Sequence, residues 1–279
     1  MTNSTRSSSP TGSPARTAVT PGRRGAIMAL ALLIGILVWS FVAHRNDGGT
    51  VDMLKGLPRD AIVASDTAGP EAGRRWLVTS GTLFSRHGEL WSGVPDAGPP
   101  DPIHGRTGSA VLRAVTTRTD YEDVRVQVEM RLNALHSTAR TGKRSWDGVH
   151  VFLRYRNAQN LYVVDLVRRD GLVTIKRKAP PVGSAAHDTV DSTTAARETG
   201  AYTLLATARL EPTTTWHSFD LGIRNTPASV LITLAVDGRT LLTTIDTDRT
   251  APLHGPGRVG IRGDNADFLI RRFIIRPVG

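Results

Sequence analysis

Residues 145–178, SWDGVHVFLRYRNAQNLYVVDLVRRDGLVTIKRK, constrain the fold more than any other stretch of this chain. Three runs rich in β-branched and aromatic residues, 149–156, 161–169 and 172–178, are separated only by short polar turns, so they predict antiparallel strands. The first connection is Asn157-Ala158-Gln159-Asn160. The second is Asp170-Gly171, a pair favoured in two-residue primed turns because both residues tolerate φ > 0. These turns predict a register. Tyr155 faces Tyr162, Leu153 faces Val164, and Val151 faces Leu166, which in turn faces Ile175. That side is apolar and predicts a core face. The other side carries His150, Phe152, Arg154, Asp165, Thr174, Lys176 and Lys178, with Asp165 between Phe152 and Lys176.

The same period continues on both sides of this meander. Val124, Val126, Val128, Met130 and Leu132 alternate with Arg125, Gln127, Glu129 and Arg131, which predicts a half-buried strand. Further strands are expected at 76–84, around Leu90-Trp91, and at 110–117, 202–210, 216–224, 230–236, 240–245, 258–262 and 268–276. Gly/Pro/Asp-rich segments at 93–108 and 179–200 read as loops. No amphipathic helix longer than a turn or two follows residue 43, and no fixed-period repeat argues for a propeller or solenoid. About a dozen short strands in one unit predict an all-β, two-sheet antiparallel sandwich over residues 74–279.

Upstream the character changes. Residues 1–22 are Ser, Thr, Pro, Gly and Arg with almost nothing apolar, a disordered tail by composition. Residues 26–43, AIMALALLIGILVWSFVA, carry no charge, and eighteen residues at ~1.5 Å rise reach roughly the thickness of a bilayer core. Arg23 and Arg24 abut one end, while Arg45 at the other is offset by Asp47. The positive-inside rule then places the tail in the cytoplasm and the rest outside. Phe41-Val42-Ala43 is a poor small-x-small cleavage site, so the segment reads as a single-pass signal anchor. Residues 46–73 read as a stalk.

The net charge is +10, from 35 basic and 25 acidic residues. Arg6, Arg16, Arg23 and Arg24 precede the apolar segment and Arg45 cancels Asp47, so the part from Gly48 onward carries about +6. Basic residues are not interleaved with several aromatics on one sheet, which argues against nucleic acid as a partner. Cysteine is absent, excluding disulfides, thiolate nucleophiles and zinc–thiolate sites. His-Glu-x-x-His, Gly-x-Ser-x-Gly and a phosphate-binding Gly loop are also missing.

Three pieces of the sequence resemble the concanavalin A-like (laminin-G-type) jelly rolls of bacterial surface proteins. They are Trp76…Ser80-Gly81…Gly88…Leu90-Trp91, the meander Gly148-Val149-His150-Val151…Arg154-Tyr155…Asn160-Leu161-Tyr162, and Trp216-His217-Ser218-Phe219…Val236-Asp237-Gly238…Gly257-Arg258-Val259-Gly260-Ile261-Arg262. The resemblance spans residues 74–279 and implies a jelly-roll sandwich. Its members include lectin-like modules, glucanases and keto-disaccharide hydrolase-like domains. The Glu-x-Asp-x-x-Glu strand of the laminarinase-type glucanases is absent, and only six glutamates occur in the chain.

Two groups of candidate residues follow. On the polar face of the meander, Asp165 would accept sugar hydroxyls, Arg154, Lys176 and Lys178 would hold an acidic group, and Phe152 or Trp146 would stack on a ring. His150 is the acid–base candidate there, but no second strand carboxylate is evident beside Asp165, as glycoside hydrolysis requires. No catalytic residue is therefore assigned. In the loop Arg262-Gly263-Asp264-Asn265-Ala266-Asp267, the side chains of Asp264, Asn265 and Asp267 are the candidate ligands for a structural calcium, set against a plain Asx-rich turn. No other cofactor is expected. The expected function is a membrane-anchored, extracytoplasmic module that binds cell-envelope or extracellular glycan. The alternatives are a glycoside hydrolase of the same fold and a structural or protein-interaction domain.

Overall fold

The computed structural model describes residues 49–67, 75–96, 108–139, 141–179, 202–247 and 253–278. The expected tail at 1–22 and apolar span at 26–43 lie outside the described residues, among which no helix is long and apolar enough to cross a membrane. The strands are β1 (Val51–Asp52), β2 (Ala61–Ser65), β3 (Trp76–Ser80), β4 (Thr82–Arg86), β5 (Glu89–Trp91), β6 (Val111–Thr116), β7 (Val124–Leu135) and β8 (Gly148–Asn157). They continue as β9 (Asn160–Arg168), β10 (Leu172–Lys178), β11 (Tyr202–Arg209), β12 (Trp216–Thr226), β13 (Ser229–Val236), β14 (Arg239–Asp246), β15 (Arg258–Asp264) and β16 (Ala266–Pro277).

These strands make two antiparallel sheets. One runs β14-β13-β12-β7-β16-β5-β4-β2, with β1 also on β16; the other runs β11-β10-β9-β8-β15-β6-β3. The fold is an all-β sandwich, as the period-two pattern predicts. Its core lies between the sheets. Val126, Val128 and Met130 of β7, Leu221 of β12 and Phe273 of β16 meet Val151, Leu153, Val164, Leu166 and Ile175 from the facing sheet. Two tight hairpins, at His87-Gly88 and Asp237-Gly238, have positive φ at both turn residues, the geometry of a primed turn that matches strand twist.

Three expectations need correction. First, residues 46–73 are not a stalk over their described part. β1 pairs with β16, β2 pairs with β4, and Met53 is buried in the core. Short apolar pieces among Gly and Asp concealed two edge segments. Second, Asp170-Gly171 does not form a two-residue turn. The Gly171 amide donates to the Arg168 carbonyl, and Gly171 takes φ 70, so Arg169, Asp170 and Gly171 all lie between the strands. This is the turn-plus-glycine-bulge form of a three-residue hairpin. Third, β8 carries an irregularity between Leu153 and Asn157, where Arg154 adopts φ 50. Both changes displace the pairing by an even number of residues. Leu153 therefore faces Tyr162, Val151 faces Val164, and Asp165 lies between His150 and Thr174. An even displacement keeps most side chains on the expected face. Two residues at the β8 irregularity are exceptions: Arg154, which leaves the polar face, and Tyr155. Tyr155 leaves the core side and stacks on Phe152, with ring centroids 5.5 Å apart.

Candidate functional site

On the face of the seven-stranded sheet that points away from the main core, β8, β9, β10, β11 and β15 frame a cleft of ≈ 370 Å³. Its floor is apolar, formed by Phe152 and Val163, which belong to a separate small cluster with Val115, Tyr155 and Leu161. Two exposed aromatics line it. Trp146 precedes β8 and is 48% exposed, and Tyr202 opens β11 at 37%. Each offers an open ring face beside fixed polar groups, on which the apolar side of a ligand could stack.

The Trp146 loop is held firmly. Asp147 accepts the Arg144 amide at 2.8 Å and the Arg169 guanidinium at 3.1 Å through Oδ2, and Asn265 Nδ2 at 3.2 Å through Oδ1. Arg144 lies over the Trp146 ring at 5.8 Å. The indole is therefore presented from a braced turn rather than a loose one.

Beneath the cleft a buried histidine bridges two carboxylates. His150 Nδ1 lies 2.8 Å from Asp165 Oδ1, and Nε2 lies 3.2 Å from Asp264 Oδ2. Asp165 is fully buried and its Oδ2 also receives Arg168 Nη1 at 3.0 Å, Thr174 Oγ1 at 2.5 Å and Lys176 Nζ at 2.7 Å. Arg262 Nε donates to Asp264 at 2.8 Å. Burial alone would push the His150 pKa down; the Asp165 carboxylate, aided by Asp264, outweighs it and raises the value. Burial would likewise raise Asp165, but His150 and Lys176 hold it far below the usual carboxylate range. For Asp264, Arg262 and His150 overcome burial with the same result. The two flanking carboxylates thus favour the imidazolium form of His150.

Of the six residues expected to bind ligand, Trp146, His150, Phe152, Asp165 and Lys176 line this one cleft. Arg154 does not. The irregularity in β8 turns it away, and its buried guanidinium reaches Asp123 Oδ1 at 2.9 Å, Asn225 Oδ1 at 2.7 Å and the Glu122 and Leu253 carbonyls. Lys178 is buried with Nζ 5.1 Å from the Tyr202 ring centroid. The calcium expectation also needs correction, because the three side chains serve separate partners. Asp264 pairs with Arg262 and His150, and Asn265 bonds Thr141 and Asp147. Asp267 accepts from Trp91 Nε1 and Asn133 Nδ2. Among the described residues no group of three His, Asp or Glu side chains is placed to hold a metal.

Arg168, Tyr202, Arg262 and Asp264 were not anticipated in the cleft. Alternation in β15 puts Arg262 and Ile261 on opposite faces, which the sequence already indicates. What it does not indicate is that β15 pairs with β8, placing Arg262 opposite His150.

No protein-family model matches the chain, and no curated protein sequence matches it. Solved structures are similar at the level of the sandwich. A carbohydrate binding module from Bacillus subtilis is 10% identical, with 71% of this chain and 93% of that one covered and a TM-score of 0.43. An endo-1,3-beta-glucanase from Streptomyces sioyaensis is 13% identical, with 85% and 100% covered and a TM-score of 0.45. Lectin I-B4 from Griffonia simplicifolia is 9% identical, with 82% and 98% covered and a TM-score of 0.43.

Proposed function

We propose that this domain binds carbohydrate in the cleft between β8, β10, β11 and β15, and that it does so without catalysis. The observation that carries the reading is the pairing of the exposed Trp146 and Tyr202 with an apolar floor and a set of pre-ordered donors. A pyranose ring has an apolar face that stacks on aromatics and a hydroxyl rim that needs hydrogen bonds, and a largely apolar cleft with a few fixed polar groups meets both needs.

Hydrolysis fits the geometry poorly. A glycosidase keeps one carboxyl protonated near neutrality to act as general acid. Both Asp165 and Asp264 are instead held strongly ionised by adjacent cations, and Asp165 is fully buried. The strand carboxylate that sequence reasoning did not find beside Asp165 is therefore present, as Asp264, but in the wrong protonation state for that chemistry.

Binding on a glycan array, followed by a reducing-sugar assay on each hit, tests the reading. Binding without product is the expected result; product would make the domain an enzyme, and no binding at all would leave a structural or protein-interaction role. Trp146→Ala should weaken binding roughly three- to tenfold with little change in melting temperature, since it removes stacking from an exposed ring. The glycan is cell-envelope or extracellular in this proposal, because the apolar segment 26–43 and its flanking arginines argue for a domain held outside a membrane. Protease treatment of intact cells should then remove the domain.

A further inference from the structure

The charges of the cleft are layered. The Asp165 and Asp264 side chains are 0% and 9% exposed, whereas the cations that hold them reach nearer the surface: Lys176 at 18%, Arg262 at 16% and Arg168 at 12%. Among the described residues, and with His150 protonated, four cations face three carboxylates, the third being Asp170, which sits on Arg168 at the β9–β10 turn. The flanking charges add to the surplus. Among the described residues, Arg144 lies on the Trp146 ring, while Asp147 is neutralised by Arg169.

The cations differ in what they still offer. Arg168 is committed, giving Nε and Nη2 to Asp170 and Nη1 to Asp165. Lys176 is not. An ammonium carries three N–H groups, and among the described residues one of them is taken, by Asp165 Oδ2 at 2.7 Å. Its Nζ lies 5.1 Å from the Tyr202 ring centroid, so the two remaining donors sit beside an exposed aromatic in the cleft. A neutral sugar hydroxyl would satisfy these donors singly and leave the surplus charge unbalanced. An anionic oxygen pair satisfies both and balances the charge, which a hydroxyl does not.

We propose that the saccharide taken by this cleft is an acidic one, whose carboxylate or sulfate group is received by Lys176 while its ring lies against Trp146 or Tyr202. This inference rests on the carbohydrate reading above and adds the chemical class of the ligand.

The test is a binding comparison with the full-length protein on an array of matched saccharides. It includes polygalacturonate against its methyl ester, and chondroitin sulfate against unsulfated chondroitin. The expected result is that an acidic member binds at least about tenfold tighter than its neutral counterpart, with the advantage shrinking at high ionic strength. Lys176→Met should erase the advantage and Lys176→Arg should keep most of it. Asp165 retains His150, Arg168 and Thr174 in the methionine variant, and its melting temperature checks that the fold survives. If Lys176→Met does not fold, Lys176→Gln, which keeps two N–H donors but loses the charge, takes its place and should lose the preference too.

Equal affinity for acidic and neutral members, or an acidic preference that survives both neutral substitutions, would overturn the inference and leave the carbohydrate reading standing. Failure to bind any saccharide, acidic or neutral, would overturn both.

Discussion

At His150 one side chain ties the site to the stability of the sheet. The imidazole is held by Asp165 from β9 and Asp264 from β15, and it faces Thr174, Lys176, Arg168 and Arg262 through them. Its folded pKa is raised, so the stabilisation it provides is complete below the ordinary histidine value of 6.5 and is lost as pH climbs through the raised value. Asp165 and Asp264 have lowered values, so theirs is complete above the ordinary 3.8 and is lost as pH falls toward the depressed ones. The two conditions overlap between 3.8 and 6.5. Melting temperature should therefore peak in mildly acidic buffer and decline on both sides. In His150→Asn the decline on the alkaline side should disappear. Differential scanning calorimetry across the range reads both outcomes, and an alkaline limb that persists in the variant would assign it to another group.

The elements explain why some of this was legible from the sequence and some was not. The core face of the meander and the clustering of His150, Phe152, Asp165 and Lys176 depended only on alternation, which survives an even displacement of register. Arg154 depended on β8 staying regular, and it does not. Nothing local marks the site. Its positive φ is sustained by partners from three distant segments: Asp123, Asn225 and the Leu253 carbonyl. The β8–β15 pairing that brings Asp264 to His150 joins segments far apart in sequence, and no short-range pattern announces it. Arg154→Met consequently separates the two accounts of this residue. It strips a buried guanidinium from Asp123 and two carbonyls, so it should destabilise the domain by ~3–5 kcal/mol in a denaturant titration. Saccharide affinity, measured where the variant is still folded, should match that of the parent. A parallel loss of affinity would return Arg154 to the site.

For the molecule as a whole the question is where the sandwich begins. Turn-rich composition suggested residue 74, yet β1 pairs Val51 with Ile275 and Asp52 with Ile274, and the Met53 amide donates to the Phe273 carbonyl. Met53 is 1% exposed and packs among the core residues, and β2 covers the outer edge of β4. Removing this segment would open a cavity where Met53 sits and leave β4 with a row of unpaired backbone groups. A buried Met reduced to Ala costs ~2–5 kcal/mol on its own, and a bare edge strand templates aggregation. That is a large share of the ~5–15 kcal/mol that holds a typical domain together. A protein comprising residues 46–279 should therefore melt cooperatively and elute as a discrete species. One comprising residues 74–279 should unfold at clearly lower denaturant and associate on gel filtration. Since the cleft lies on the other sheet, any folded fraction of the shorter protein should keep its saccharide affinity. Equal stability of the two proteins would make β1 and β2 accessory, and a shorter protein that is folded but no longer binds would mean that the two sheets are coupled more tightly than their separate surfaces suggest.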